Sequence, residues 1–331
     1  MELETPLASS LDTPLKAYRV QEEPVAASLK HVHEAHKARG IYQRTLSHSL
    51  HLSGIGLHSG QRVDLWLHPA DDDTGICFLR SDLQNGARRI QARAQNVTNT
   101  HLCTQLTNDQ GGSVSTIEHL MAALHGMGLH NVLIELDGPE IPILDGSSQP
   151  FTTAIEAAGL HTSTARARGI VVREDVEVKL GSEIGAPKAK LSPRQGRELW
   201  LDVSIDFDAP CIGQQSASLL LNSQNFVKAI SGARTFGFAE QLETLQGQGR
   251  ALGGSVKTAI LIAKGVVQNP KGLRFENEFA RHKLLDAVGD LYIEGLPIFG
   301  TFTAHKGGHR LTNKLMRTLM ARPKSFEIVE I

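Results

Sequence analysis

The segment from Arg274 to Asp290, RFENEFARHKLLDAVGD, constrains this chain most, because it threads polar, metal-competent side chains through an otherwise apolar helix. At about 100° per residue, His282, Asp286 and Asp290 fall on one slowly drifting stripe. Phe279, Leu284, Leu285, Val288 and Leu291 supply the residues to bury. An imidazole and a carboxylate one turn apart either form a hydrogen-bonded pair at the rim of a core helix or grip one cation. A zinc site needs at least a third protein ligand, which would have to come from elsewhere in the chain.

The 331 residues, 40% of them hydrophobic, are enough for two cores of ordinary size. Lys and Arg (34) nearly balance Asp and Glu (35), so there is no global basic field to hold nucleic acid or an anionic membrane. Any phosphate on a substrate must be met locally. Cys77, Cys103 and Cys211 are odd in number and lack CxxC spacing, which fits buried thiols in a reducing compartment and argues against a thiolate zinc site. The chain opens with Glu2 and Glu4, without a basic and then apolar leader, and no apolar run is long enough to span a bilayer. A cytoplasmic protein with no integral membrane segment is expected.

Residues 1–41 lack strand alternation and read as an N-terminal extension, disordered or partly helical, with a short helix over 26–39. Its His31, His33 and His36 do not share a helix face, so a solvated helix is the reading there. From Tyr42 the texture changes. Residues 45–52 and 63–67 alternate apolar and polar across a Gly54–Gly60 turn region, an antiparallel hairpin pattern. Helices are predicted over 115–124 and 150–159, with a strand over 131–136 between them.

After a polar joint at 161–168 the rhythm resumes, with strands over 170–179, 199–207 and 298–304 and helices over 224–230, 279–291 and 313–322. Strand pairs followed by helices, twice, predict an α+β protein of two domains, 42–165 and 166–331. A smaller module over about 236–266, with Gly247, Gly249, Gly253 and Gly254, reads as a lobe inserted over a cleft.

The second candidate half of a site is Ser115-Thr116-Ile117-Glu118-His119-Leu120. Ser-x-x-Glu has capping-box spacing, so Glu118 could simply return to the Ser115 amide. Alternatively, because neighbouring helical residues point about 100° apart, Glu118 and His119 could split their work, one binding a metal and the other reaching the water on it. Metal-assisted hydrolysis of an amide needs that division, plus an acid for the departing amine. His309, in Ala304-His305-Lys306-Gly307-Gly308-His309-Arg310, is either that acid, presented by a turn, or an exposed loop histidine.

Taken together, these segments closely resemble the UDP-3-O-acyl-N-acetylglucosamine deacetylase family, zinc amidases of lipid A synthesis in Gram-negative bacteria. The resemblance runs from about Gln43 to near the C-terminus. It rests on Gly56-Leu57-His58-Ser59-Gly60, the 115–120 motif, Glu140-Ile141-Pro142-Ile143-Leu144-Asp145-Gly146-Ser147, Ala233-Arg234-Thr235-Phe236-Gly237-Phe238, Leu252-Gly253-Gly254-Ser255, His282-Lys283-Leu284-Leu285-Asp286 and Lys306-Gly307-Gly308-His309. It implies a layered sandwich with helices packed between two β-sheets, each domain carrying a small insert, the first over about 80–100 and the second βαβ-like.

The resemblance further implies His119, His282 and Asp286 as ligands of Zn2+, with Fe2+ as the other candidate, and Glu118 as general base. It makes His309 the protonated group assisting the leaving nitrogen, Asp290 its tuning partner and Thr235 a hydroxyl that polarises the acetyl carbonyl. Phe236 and Lys283 resemble sugar and phosphate contacts, His58 a residue at the acyl entrance, and Leu242, Val256 and Leu261 the wall of a hydrophobic passage. The implied reaction releases acetate from UDP-3-O-((R)-3-hydroxyacyl)-N-acetylglucosamine, the committed step toward lipid A of lipopolysaccharide, in a monomer. The alternative is a non-catalytic sugar-nucleotide-binding relative with a regulatory role. This chain departs from the family pattern in residues 1–41, in His101 where relatives carry an apolar residue, in Val256 where some carry an aromatic, and in Asn277, a surface helix position where charge is usual.

Overall fold

A computed structural model describes residues 41–331. The expectations for the N-terminal extension, its helix and its three histidines therefore lie outside the described residues. Strand β1 (Tyr42–Leu46) pairs antiparallel with β10 (Leu160–Arg166). A five-stranded sheet has the order β2 (Leu50–Ile55), β3 (Arg62–Pro69), β9 (Val132–Leu136), β4 (Ile76–Arg80) and β5 (Arg89–Gln91). The period-2 pattern of β3 sends Val63, Leu65 and Leu67 into the core. A small sheet of β6 (Val97–Asn99), β7 (Gln105–Thr107) and β8 (Ser113–Val114) lies beside it in sequence.

The second half builds a seven-stranded sheet around β19 (Ile298–His305). Along its length β19 pairs antiparallel with β13 (Lys188–Ser192) and parallel with β14 (Leu199–Asp206), so these two occupy its opposite edges. β12 (Val176–Lys179) extends β13, β15 (Gln214–Leu220) extends β14, and β11 (Arg168–Val172) joins the start of β19 and pairs with β20 (Phe326–Glu330). In the lobe, β16 (Phe236–Phe238), helix α4 (Ala239–Gly247) and β17 (Ile260–Ala263) form a parallel β-α-β unit, edged by β18 (Val266–Val267).

The remaining helices are α1 (Glu118–Met127), α2 (Gln149–Ala158), α3 (Ser223–Ala229), α5 (Glu278–Leu291) and α6 (His309–Met320). α5 packs on β14 and β15, α6 on β12 and β13, and α2 on β2, so the helices form the layers inside the two sheets. Every residue of α1 is buried, as are all but Arg281 and Lys283 of α5. These two innermost helices lie directly against each other. A Cβ at Gly289 would stand 2.0 Å from the Glu118 carbonyl oxygen and 3.0 Å from the Ala122 nitrogen, so only glycine lets the backbones approach this closely. Among the described residues no helix is long and apolar enough to cross a membrane.

Several local expectations are corrected. The expected hairpin forms, with β2 antiparallel to β3 across the Gly54–Gly60 turn, but the alternating stretch 45–52 is not a single strand of it. The exposed residues Ser47 to Ser49 turn the chain, Ser47 donating its amide to Gly159 O, so β1 and β2 join different sheets. The stretch 170–179 is likewise two strands, broken where the Arg173 and Glu174 amides turn to Ser325 O. The last helix starts at His309 rather than 313, because the Leu311 and Thr312 amides already bond to Gly308 O. Asn277 is the N-cap position of α5 and donates its side-chain amide to Ser216 O rather than lying on the helix surface. All three cysteines are free, but Cys211 is only half-buried.

The Gly289 contact makes a direct prediction. Gly289→Ala should destabilise the protein by about 1–3 kcal/mol through overpacking, despite alanine's better helix propensity. Urea unfolding at constant m-value measures this, and a midpoint equal to wild type would show that the helices are not in contact there.

Candidate active site

The bond pattern of α5 fixes the chemistry of its imidazole. His282 Nδ1 lies 3.0 Å from Ala233 O, which only accepts, so Nδ1 carries the proton and Nε2 presents its lone pair. That lone pair faces Asp286 Oδ1 at 3.3 Å, while His119 Nε2 from α1 faces the same oxygen at 3.6 Å. The two imidazole rings stand nearly perpendicular, with centroids 4.9 Å apart. Asp286 Oδ1 and His119 Nδ1 are buried without a hydrogen-bond partner among the described residues.

Electron-rich atoms aimed at one another in a dry interior repel unless a cation lies among them, and one ligand atom from each of the three residues falls within 4.8 Å of the others. The residues therefore fit a divalent metal. Burial drops the His282 pKa to about 3, keeping it neutral as a ligand should be. Burial opposes the Asp286 charge, but charged neighbours, the Lys283 ammonium at 3.0 Å foremost, outweigh it and hold that carboxyl well below the usual range.

Glu118 and His309 stand beside this trio. The capping box does not form: Ser115 gives its amide to Pro139 O, Thr116 takes a left-handed φ of 56°, and α1 begins only at Glu118. Glu118 instead accepts the Thr104 amide at Oε2 (3.0 Å), and its Oε1 lies 3.8 Å from His309 Nε2. Burial lifts the Glu118 carboxyl above its ordinary value, although His309 and His119 pull the other way.

His309 is neither an exposed loop histidine nor part of a turn. It is buried in the first turn of α6, where the helix dipole disfavours a cation. Burial also opposes its charge, yet Asp290, Glu118 and Asp286 prevail and push its pKa up to about 10. Its Nδ1 donates to Asp290 Oδ2 at 2.9 Å, and Thr104 Oγ1 donates to the other oxygen of Asp290 at 2.6 Å.

The expected substrate contacts lie at varied depth. Lys283 follows His282 on α5. Its ammonium folds back onto Asp286 Oδ2 at 3.0 Å and lies 5.4 Å from the centre of the half-buried Phe236 ring. Thr235 is pinned through its backbone between Gly146 O and the Ile260 amide, its side chain half-buried. His58 has two buried ring nitrogens without a partner among the described residues, and burial, followed by nearby Arg250, His101 and His309, lowers its pKa despite Glu140. Leu242 on α4 and Leu261 on β17 are half-buried, and Val256 is exposed, on the same lobe as exposed Leu252 and Val266. His101 faces solvent, where Arg250 Nη1 donates to its carbonyl.

The family model described as UDP-3-O-acyl N-acetylglycosamine deacetylase (LpxC) matches residues 43–321. The chain belongs to this deacetylase family. A relative from Haemophilus influenzae (strain 86-028NP), named UDP-3-O-acyl-N-acetylglucosamine deacetylase, is 47% identical over 291 residues, covering 87% of this chain and 93% of its own. Relatives of the same name from Pasteurella multocida (strain Pm70) and Shewanella sp. (strain ANA-3) are 45% and 44% identical over the same coverage.

Within this deacetylase-family site, three supporting residues escaped the reading of spacing. Buried Glu140 accepts the amides of His58 and Ser59 and the Thr116 hydroxyl, tying the Gly56–Gly60 turn to the approach of α1. Arg234 pairs bidentately with Glu278, which is 0% exposed, at 2.9 and 3.1 Å, holding the neighbouring Ala233 carbonyl against His282 at the start of α5. Thr104 is the third. Glu140 and Arg234 stand inside motifs that resemble the family; Thr104 carries no such signal.

The ligand geometry predicts metal retention that depends on both halves of the chain. His119→Ala, His282→Ala and Asp286→Ala should each weaken zinc affinity by about 100-fold or more, measured by competition with a chromophoric chelator. Undiminished affinity in any one variant would remove that residue from the ligand set.

Proposed function

We propose that the chain hydrolyses the N-acetyl group of UDP-3-O-((R)-3-hydroxyacyl)-N-acetylglucosamine, giving acetate and the free glucosamine amine on the route to lipid A. The observation that carries this reading is the placing of a carboxylate, Glu118, and a charged imidazole, His309, 3.8 Å apart beside the three-residue ligand set. Two imidazole nitrogens and one carboxylate suit zinc, with ferrous iron the competitor, better than magnesium, which prefers oxygen ligands. When bound, such a cation polarises the amide carbonyl and makes water a better nucleophile near neutral pH.

The protein groups then divide the proton work. Glu118 removes a proton from the attacking water as its oxygen adds to the acetyl carbon. His309, charged and held by Asp290, donates a proton to the glucosamine nitrogen as the C–N bond breaks, so that an amine rather than an amide anion leaves. The Thr235 hydroxyl adds a dipole toward the developing oxyanion. On this reading Phe236 packs on the sugar and Lys283 serves the site's phosphate end while shielding Asp286. Leu242, Val256 and Leu261 line the acyl passage and His58 stands at its entrance. Residues 42–165 and 166–331 act as two domains of a cytoplasmic monomer. A non-catalytic relative would have no use for a paired base and acid.

Acetate release from this substrate should vanish in Glu118→Ala, falling at least about 100-fold, and robust turnover by that variant would remove Glu118 from the mechanism. The rate should be bell-shaped in pH. It falls on the acid side as Glu118, with its raised pKa, takes up a proton, and on the alkaline side as His309 loses one. A bound cation repels the imidazolium, so the alkaline limb should lie between histidine's ordinary 6.5 and about 10. An unchanged alkaline limb and rate in His309→Ala would refute the acid assignment.

A further inference from the structure

We infer that Thr104 is a positioning residue that holds the general base and the general acid in one ring of contacts, three of them hydrogen bonds and the fourth an ion pair. The inference rests on the deacetylase reading of Glu118 and His309. Thr104 is 2% exposed and sits where the chain enters β7, one residue after Cys103 and two after Leu102, whose φ is 69°. From there its amide donates to Glu118 Oε2 (3.0 Å) and its hydroxyl to Asp290 Oδ1 (2.6 Å). Asp290 Oδ2 accepts from His309 Nδ1 (2.9 Å), and His309 Nε2 returns to within 3.8 Å of Glu118 Oε1. Four residues, drawn from a loop, α1, α5 and α6, thus close a circuit around the reacting groups, with the Thr104 backbone amide as its link to Glu118.

Rotation of an aspartate carboxylate about its last torsion is soft, so hydrogen bonds set its plane. Asp290 has one oxygen on His309. The other is fixed by Thr104, and without that bond the carboxylate is free to turn and the imidazole with it. The hydroxyl is the right donor here: short, buried and able to satisfy a charged acceptor without bringing a charge of its own. Because the Glu118 contact uses the backbone amide, side-chain substitution at residue 104 tests the acid arm of the ring separately from the base arm.

Thr104→Val keeps the shape and the amide and deletes only the hydroxyl. It should lower kcat for acetate release by about 10- to 100-fold with KM changed less than about three-fold, since the bond lost acts on a transferred proton rather than on substrate binding. Thr104→Ser should recover most of the turnover, and Thr104→Ala serves as a second deletion should valine disturb the loop.

In an Asp290→Ala background the valine substitution should cost less than about two-fold, because its partner is already gone. Additive losses in that cycle, or equal losses for serine and valine, would overturn the inference. The proton on His309 Nδ1, followed by NMR, should move or broaden in Thr104→Val but not in Thr104→Ser, and an unaltered signal would also overturn it. If wild-type protein releases no acetate, the deacetylase reading fails, and the His309 signal still decides the role of Thr104.

Discussion

The close approach of α1 and α5 is the constraint on which the rest of the site depends. One candidate ligand, His119, rides on the first helix and the other two, His282 and Asp286, on the second. Three ligand atoms can share one cation only if the two backbones nearly touch, and at Gly289 they do, with no room for a side chain against the Glu118 carbonyl. The same contact sets the distance from the Glu118 side chain to the metal-ligand trio. Packing and chemistry are here one geometric fact, since a helix pair opened by a methyl group would separate ligand from ligand as well as core from core.

Such a centre concentrates like charges. Glu118, Asp286 and Asp290 are all buried in a small volume, where unpaired carboxylates repel strongly. Lys283 answers Asp286 and charged His309 answers the other two. This explains a histidine that carries charge at a helix N-terminus, where the dipole opposes it. It also explains why Lys283 lies folded back on Asp286 instead of extended. The divalent cation that the trio fits would complete the balance, which makes the proposed catalytic groups and the charge compensation the same residues.

Much of this was legible in the chain. The i, i+4 spacing of His282 and Asp286 on an apolar helix gave a half-site, and Glu118-His119 after a Ser-x-x supplied chemistry that the first half lacked. The interleaved strands and helices gave the α+β class. What spacing could not show depends on contacts distant in sequence or on backbone torsions without a local signature. The left-handed Thr116 unmade the capping box and freed Glu118, and the exposed Ser47 to Ser49 turn sent β1 to a partner more than a hundred residues away. The hydroxyl bond from Thr104 crosses 186 positions to Asp290, and a lone threonine in a loop announces no such reach. The last helix began early because Gly308 takes up its first amides, which places His309 in the buried interior rather than in a turn.

X-ray absorption at the zinc edge of the full-length, zinc-loaded protein tests the central claim most directly, because it reads the atoms around the cation without reference to activity. The account predicts a shell of nitrogen and oxygen scatterers at about 2.0–2.2 Å, with the outer-shell pattern of two imidazoles and no sulfur. A sulfur scatterer near 2.3 Å, as a cysteine such as Cys103 would give, or the signature of fewer than two imidazoles, would contradict it.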